Sequence, residues 1–208
     1  MLAHPDIPFD SLRSDWLIPG MSQPALRNHF ITEEEYFAGE ELTEETHEYI
    51  DGVVYAMSVP TDTHGEIAGS LFRALGNHLA GKKCRAWMGN MRVRIGFPKV
   101  VHYIPDVLVA CDDPPRDPRF REEPVAIFEV LSESTKAIDL REKRFAYTTL
   151  PTLRHYFVVR QDRVEITLFR RAGAGWEELV FTALDQELEI PEIGFRISLG
   201  DVYASAGL

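Results

Sequence analysis

Two acidic residues lie inside apolar segments of strand length, and their chemistry sets them apart from their neighbours. Asp106 begins the run Asp-Val-Leu-Val, and Glu129 follows the run Ala-Ile-Phe. Acidic side chains are almost never fully buried unless they are paired or bind a metal ion. The two positions therefore predict either a metal site or buried ion pairs.

Two carboxylates on neighbouring strands can converge on a hard divalent cation. Mg²⁺ prefers oxygen ligands and keeps several waters, so two acids and one backbone carbonyl are sufficient. Such an ion polarises a phosphoryl oxygen and lowers the pKa of a bound water, and a nearby lysine would orient that water and offset negative charge. The competing interpretation is a buried acid paired with an arginine, for example Arg92 or Arg144. Spacing alone favours neither.

The elements around the two acids are predicted to be two strands followed by a helix. Residues 101–111 form an apolar run that predicts one buried strand around Asp106, and residues 125–131 predict the next strand. Alternate side chains of a strand share a face, so Glu129 is expected beside Ile127 and Leu131. Residues 135–150 have the pattern of a long helix, which Pro151 ends.

Upstream of these strands the pattern predicts a short helix and a hairpin. Thr32 and Glu35 have the spacing of a capping box, which predicts a helix from Glu33 to about Ala38. Residues 47–57 read as a β-hairpin, and Asp51-Gly52 supplies its tight turn. Glu48 lies at the start of this hairpin.

A long helix is predicted over residues 63–80, because apolar residues recur there at helical spacing. His64 falls in its first turn, where a histidine is more often a surface or capping residue than a ligand. Further strands are predicted at 84–87 and 91–95 around a Gly89-Asn90 turn, at 155–159, 163–170 and 176–181, and a strand-and-turn segment at 188–203. The order of elements indicates a mixed α/β fold.

The composition is that of one ordinary globular domain. The chain has 208 residues, of which 45% are hydrophobic and 26% charged, and a chain of this length can bury a substantial core. It contains no apolar stretch of the roughly 20 residues needed to span a bilayer, and no signal-peptide pattern. Four prolines interrupt the first 28 residues. We therefore predict an irregular arm over residues 1–30 and a folded domain over residues 31–208.

Charge and cysteine content constrain the partners and the compartment. The formal net charge is −11, which argues against tight, non-specific binding to nucleic acid, because such binders usually carry a basic surface. A basic stretch nevertheless lies between Lys82 and Lys99, and it predicts either a solvated strand pair or a groove that faces phosphate. Cys84 and Cys111 are too few for a disulfide framework, so reduced thiols in the cytoplasm are expected.

The central stretch resembles a known nuclease superfamily. Pro105-Asp106 followed by Glu129 after 22 residues is similar to the PD-(D/E)xK motif of restriction-endonuclease-like nucleases. The run from Glu129 to Thr135, followed by Asp139, Lys143 and Tyr147, resembles the Uma-two branch of that superfamily. Further matching features are the Glu48–Gly52 hairpin, His64 at the start of a helix, and the segment Leu153–Val159. Together these blocks span about Ile31 to Tyr203.

The resemblance implies a fold and a set of site residues. It implies a mixed central sheet flanked by helices, with Asp106, Glu129 and the carbonyl of Val130 as metal ligands. The position two residues after Glu129 is Leu131 rather than the lysine of the superfamily motif, and the branch implies that Lys143 has replaced it. Glu48 is a candidate additional ligand, and His64 and Asp139 are supporting candidates.

The function implied is hydrolysis of phosphodiester bonds in DNA by an endonuclease that depends on Mg²⁺ or Mn²⁺. A homodimer is implied as well, because many nucleases of this fold cut two strands by pairing subunits. The alternative is a catalytically inactive protein that keeps the nuclease fold and acts as a binding or regulatory module. Leu131 and the acidic net charge favour that alternative.

Overall fold

The computed structural model describes residues 30–112, 114–131 and 139–208. The chain divides into two compact units, Met1–Met57 and Ser58–Leu208. In the described part of the chain no helix is long and apolar enough to cross a membrane. The arm predicted over residues 1–30 lies, apart from Phe30, outside the described residues and stays a prediction, as does the boundary after it.

The first unit contains the predicted short helix. Helix α1 spans Glu33–Glu40, two residues beyond its predicted end. The predicted capping box is confirmed: the Glu35 amide donates to Thr32 Oγ1 at 3.2 Å, and the Thr32 amide donates to Glu35 Oε2 at 2.8 Å. Both bonds satisfy amides that a helix start would otherwise leave unpaired.

The predicted hairpin follows in the same unit. Strands β1 (His47–Ile50) and β2 (Val53–Ala56) pair antiparallel, with His47 opposite Ala56. Asp51 and Gly52 both have positive φ, at 50° and 86°. Positive φ at both central residues is what a two-residue turn of type I′ requires, and Asp-Gly tolerates it well. The residues of the turn were therefore sufficient to predict this hairpin, and the prediction is confirmed.

The second unit is built on a six-stranded sheet. Its strands are β3 (Arg85–Met88), β6 (Val107–Ala110), β8 (Pro124–Leu131), β9 (His155–Arg160), β10 (Ile166–Ala172) and β11 (Gly175–Phe181). Their order across the sheet is β11-β10-β9-β8-β6-β3; β8 and β9 run parallel, and the other neighbours run antiparallel. Three further strands, β4 (Arg92–Ile95), β5 (Val101–Tyr103) and β7 (Phe120–Arg121), pair with one another, β4 being central.

One strand prediction in this unit was wrong. The segment predicted as one strand over 101–111 is broken at residues 104–106, so β5 and β6 pair with different partners. Pro105 has no amide hydrogen for a ladder, which favours a break at that point. The two strands predicted at 84–87 and 91–95 are confirmed as β3 and β4, and they have different partners, β3 pairing with β6 and β4 with β5. Gly89, which lies between β3 and β4, has a φ of 61°, a conformation that glycine adopts without strain.

One face of the six-stranded sheet carries the main apolar core. The predicted long helix is confirmed as α2 (Asp62–Leu79), and its buried stripe faces this core. Strands β12 (Glu187–Ile190) and β13 (Phe195–Ser198) and helix α4 (Leu199–Tyr203) pack into the same cluster. The mixed α/β class predicted from the order of elements is confirmed.

The helix predicted over residues 135–150 is wound differently in its described part, and it ends at Thr148, two residues before its predicted end. A π-helical turn spans Asp139–Lys143, and α3 continues it over Arg144–Thr148; residues 132–138 lie outside the described residues. The Arg171 guanidinium donates to the carbonyls of Leu150 at 2.7 Å and Leu153 at 2.9 Å. A cation at this position satisfies carbonyls near the end of a helix and opposes the negative end of its dipole.

The two cysteines form a disulfide, so the prediction of reduced thiols was wrong. Cys84 and Cys111 are joined by an S–S bond of 2.08 Å. Cys84 directly precedes β3 and Cys111 directly follows β6, and the register pairs Arg85 with Ala110. The next pair along the two strands is therefore Cys84 and Cys111. Counting cysteines could not reveal this, because the strand partnership comes from the tertiary fold.

Candidate functional site

Glu129 is buried in strand β8, between β6 and β9. It is 3% exposed, and its side chain lies on the face of the sheet opposite the main core, as the predicted alternation with Ile127 and Leu131 requires. The Lys143 Nζ donates to Glu129 Oε1 at 3.3 Å, and the Tyr147 hydroxyl donates to the same oxygen at 2.8 Å. The carboxylate is thus held by one cationic and one neutral donor.

Asp106 lies at the bend where the chain enters β6. The antiparallel register pairs Val107 with Phe128, so its continuation places Asp106 opposite Glu129. Directly opposed residues of an antiparallel pair project on the same face with Cβ atoms about 5 Å apart. The Val130 amide donates to Asp106 Oδ2 at 2.6 Å, and the Gly89 amide donates to the Asp106 carbonyl at 3.0 Å. The bend therefore holds this carboxylate beside the second acid.

Lys143 reaches Glu129 because of how β8 connects to β9. Parallel neighbours need a crossover connection of a dozen or more residues, and the crossover from β8 to β9 contains the π-helical turn and α3. Lys143 is 7% exposed, and its Nζ pairs with Glu129, whereas the sequence had offered an arginine, Arg92 or Arg144, as the ion-pair partner of a buried acid. Arg144 instead lies over the ring of Phe169, with Cζ 3.9 Å from its centroid.

Three tyrosines, Tyr103, Tyr147 and Tyr156, pack around the Glu129–Lys143 pair. The sequence named Tyr147 as part of the family pattern and gave no role to Tyr103 or Tyr156. The Tyr147 ring contacts Tyr103 and Tyr156, with centroids 5.5 and 5.3 Å away. The Lys143 Nζ lies 5.4 Å from the centroid of the Tyr103 ring. Tyr103 stands three residues before Asp106, so the break at Pro105 positions both, a relation that appears only once the break is recognised.

His64 lies next to Asp106. Thr61 caps the N-terminus of α2, and its Oγ1 accepts from the His64 amide at 3.3 Å. The His64 Nε2 lies 3.2 Å from Asp106 Oδ2. The histidine is therefore more than a residue of the capping turn: its ring faces one of the two acids. Its chemical role stays a prediction.

The remaining predicted site residues are placed as follows. Glu48 is half-buried on β1 in the first unit. Asp139 begins the π-helical turn, but its side chain lies outside the described residues. Val130 donates its amide to Asp106, and the amide and carbonyl of one strand residue point to the same side. The Val130 carbonyl therefore faces the side on which Asp106 lies.

The donor set fits a hard divalent cation such as Mg²⁺ or Mn²⁺ better than it fits zinc. Among the described residues no group of three or more His, Cys, Asp and Glu side chains converges as a metal site. Zinc sites normally use three or four such ligands, whereas Mg²⁺ is commonly held by one or two carboxylates and keeps several waters. Two opposed acids with a nearby backbone carbonyl satisfy that second pattern.

The negative charge of the chain is concentrated outside the unit that carries Asp106 and Glu129. Residues 1–57 contain 12 Asp and Glu but two Arg and Lys, whereas residues 58–208 contain 21 and 20. The second unit is therefore close to neutral, although the whole chain is not. Arg94 of the basic stretch donates to Glu122 Oε1 at 2.9 Å, so part of that stretch is engaged in internal ion pairs.

Comparisons with known proteins agree with the predicted resemblance. The model of the Uma2 family, described as "putative restriction endonuclease", matches residues 33–200. The chain is 36% identical over 178 residues to the uncharacterized protein slr1290 of Synechocystis, covering 83% of this chain and 91% of that protein.

A solved structure shares the fold. It is the crystal structure of a putative nuclease belonging to DUF820 from Anabaena variabilis, with a TM-score of 0.68 and 19% sequence identity. The match covers 85% of this chain and 99% of that one. Identity at this level supports the fold alone. Because the family model spans most of its length, the chain belongs to the Uma2 family.

Proposed function

We propose that the protein is a metal-dependent endonuclease that hydrolyses phosphodiester bonds in DNA, with Asp106, Glu129 and Lys143 as its catalytic residues. The observation that carries the proposal is the buried Glu129 carboxylate, which accepts a hydrogen bond from Lys143 at 3.3 Å and directly precedes Val130, whose amide donates to Asp106. Burying a carboxylate together with a lysine costs the hydration of both charges and adds little stability. A catalytic role explains that cost.

Asp106, Glu129 and the Val130 carbonyl would hold Mg²⁺ or Mn²⁺, with Glu48 as a further candidate ligand. The ion would supply polarisation of a phosphoryl oxygen and a lower pKa for bound water. Lys143 would position the attacking water and offset negative charge on the phosphate as the bond breaks. His64, beside Asp106, would orient that carboxylate or contact phosphate, and Asp139 would support Lys143.

The test is cleavage of supercoiled plasmid with Mg²⁺ or Mn²⁺. We expect nicked or linear product from the wild type and a loss of at least about 100-fold in rate from Asp106→Asn, Glu129→Gln and Lys143→Met, the size seen when one charge-stabilising group is removed from an active site. Glu187→Gln on β12, which removes a carboxylate that lies 4.0 Å from Arg196, is the matched control and should cleave normally. Undiminished cleavage by both acid variants would refute the assignment.

The second candidate function is a binding or regulatory module without catalysis. Leu131, 4% exposed, occupies the position where the superfamily motif has a lysine, and this observation favours it. Metal binding by calorimetry together with no cleavage of DNA or RNA would support the module. Parallel assays with duplex DNA, single-stranded DNA and RNA distinguish the substrates. Light scattering on the protein alone and with DNA tests the proposed homodimer.

A further inference from the structure

The Tyr147 hydroxyl lies closer to Glu129 Oε1 than the Lys143 ammonium does, at 2.8 Å against 3.3 Å. Its side chain is fully buried at 0% exposure, and Glu129 is 3% exposed. A hydrogen bond to a buried carboxylate is stronger than one between neutral groups. The hydroxyl can donate this hydrogen bond to Glu129 wherever the Lys143 ammonium lies.

Tyr147 is itself fixed from several sides. Its ring packs edge-on against Tyr103 and at a tilt against Tyr156. Beyond the end of α3, Arg171 bonds the carbonyls of Leu150 and Leu153, and burial lowers the pKa of this guanidinium. The direction of the hydroxyl is thus set by the sheet and the crossover together, before any ligand arrives.

Lys143 also contacts a second group that stabilises its charge. Its ammonium lies 5.4 Å from the centroid of the Tyr103 ring, within the range of a cation–π interaction. An ammonium shared between a carboxylate and a ring can move toward the ring while remaining stabilised. The Tyr147 hydroxyl is held more rigidly, because the packing of its ring fixes the C–O bond.

We propose that Tyr147 is a positioning residue that fixes the orientation of the Glu129 carboxylate for metal binding. The inference rests on the proposed function, since it assigns Tyr147 a role only if Glu129 binds the ion. Residues that hydrogen-bond a metal-ligating carboxylate typically change metal affinity by 10–100-fold when mutated. Tyr147 would act through Glu129 and touch neither substrate nor ion.

The experiment measures Mn²⁺ binding by calorimetry without DNA, for the wild type, Glu129→Gln, Tyr147→Phe and Tyr203→Phe. Tyr203 is the matched control: it is 1% exposed, and its hydroxyl lies 2.9 Å from the carbonyls of both Arg160 and Glu165. Both Phe variants lose one buried hydroxyl and keep the ring. We expect Tyr147→Phe to weaken Mn²⁺ binding 10–100-fold and Tyr203→Phe to change it less than about twofold while lowering the Tm.

A second measurement separates positioning from stability. In the plasmid assay, Tyr147→Phe should raise the Mn²⁺ concentration for half-maximal rate by the same factor and leave KM for DNA unchanged. Thermal unfolding should show that Tyr147→Phe lowers the Tm less in a Glu129→Leu background than in the wild type. This last comparison needs no metal and tests the hydroxyl–carboxylate contact itself.

The outcomes are distinct. If Glu129→Gln abolishes Mn²⁺ binding but Tyr147→Phe binds like the wild type, the positioning role is overturned and the proposed function stands. Equal weakening by Tyr147→Phe and Tyr203→Phe would show a general effect of stability and would also overturn it. If the wild type binds no Mn²⁺, both proposals fail.

Discussion

The two faces of the six-stranded sheet differ in the elements that cover them and in the polarity of the groups they bury. Along β8, Phe128 and Val130 point into the main core, whereas Glu129 between them points to the face covered by α3. The core face is closed by α2, an amphipathic helix of 18 residues. The opposite face is closed by a π-helical turn and five residues of α3. One face supplies stability, and the other places polar groups at a cost to stability.

The difference also appears in how each covering helix is held. Helix α2 buries an apolar stripe, and the burial of that stripe is the main contribution that holds the helix on the sheet. A helix of five residues is marginal by itself, so α3 depends on tertiary contacts such as those of Arg171 and Tyr147. On the face that carries the candidate site, the covering helix is therefore held by specific side-chain contacts, and a single substitution can remove one of them.

The largest effect on stability is expected on the core face. Phe128→Ala removes a ring that is 1% exposed and stacks on Phe157 with centroids 4.3 Å apart. The lost burial and the cavity should lower the free energy of unfolding by about 3–5 kcal/mol, measured by urea titration. Phe145→Ala, at a position 67% exposed, is the control and should change it by less than about 0.5 kcal/mol. Similar losses in both would contradict the assignment of faces.

On the opposite face, one single variant should cost more stability than the double variant does. Lys143→Met leaves Glu129 buried without its cationic partner and should destabilise by about 3 kcal/mol or more, as for other broken buried pairs. Glu129→Leu together with Lys143→Met makes this face apolar like the core face, and the double variant should recover most of that loss. Urea titration of the wild type, the two single variants and the double variant measures the cycle. A double variant less stable than either single one would show that the pair is needed for folding.

The disulfide joins β6 to the edge strand β3, whose far end meets Asp106 through the Gly89 amide. Replacing Cys84 and Cys111 by serine together should lower the free energy of unfolding by about 2–4 kcal/mol, because the open chain loses the constraint on a loop of 27 residues. Dithiothreitol should lower the Tm of the wild type and leave that of the double variant unchanged. An unchanged wild-type Tm, with mass spectrometry showing reduction, would contradict this prediction.

The smallest effect concerns His155, a polar residue on the core face that bonds Glu192 at 2.7 Å. Burial lowers its pKa below the usual value, the opposing effect of Glu192 being smaller. The unfolded chain therefore takes up the proton first as pH falls below about 6.5, and stability present above that pH is lost on acidification. His155→Gln should make the stability curve between pH 7.5 and 5.5 flatter, measured by urea titration. An unchanged slope would rule out His155 as its source.

Local chemistry made much of the fold predictable, and tertiary partnerships account for what was missed. The capping box at Thr32, the Asp51-Gly52 turn and the stripe of α2 depend on neighbours in sequence. The break at Pro105 had a local signal, the missing amide hydrogen of proline, but the different partners of β5 and β6, and the disulfide, depend on which strands pair in the tertiary fold. A π-helical turn likewise has no periodic signature in five residues.

The candidate site was predicted in its residue types more than in its contacts. Glu129 stood out as an acid among aliphatic residues, and Lys143 followed from the family pattern. The hydroxyl of Tyr147 on Glu129 and the ring of Tyr103 beside Lys143 come from side-chain packing that alternation cannot specify. The position of His64 beside Asp106 depends on the angle at which α2 crosses the sheet.

The parallel pairing of β8 with β9 has a consequence for the order of folding. Residues 126 and 155 become neighbours only after the whole crossover has closed, and pairings of such sequence separation form slowly because the chain must first lose loop entropy. Until β9 docks, one edge of β8 is open, so Glu129 stays in contact with water even when Lys143 and Tyr147, 14 and 18 residues further along the chain, have approached it. The acid that marks the site would therefore be among the last groups to leave water on the way to the native state.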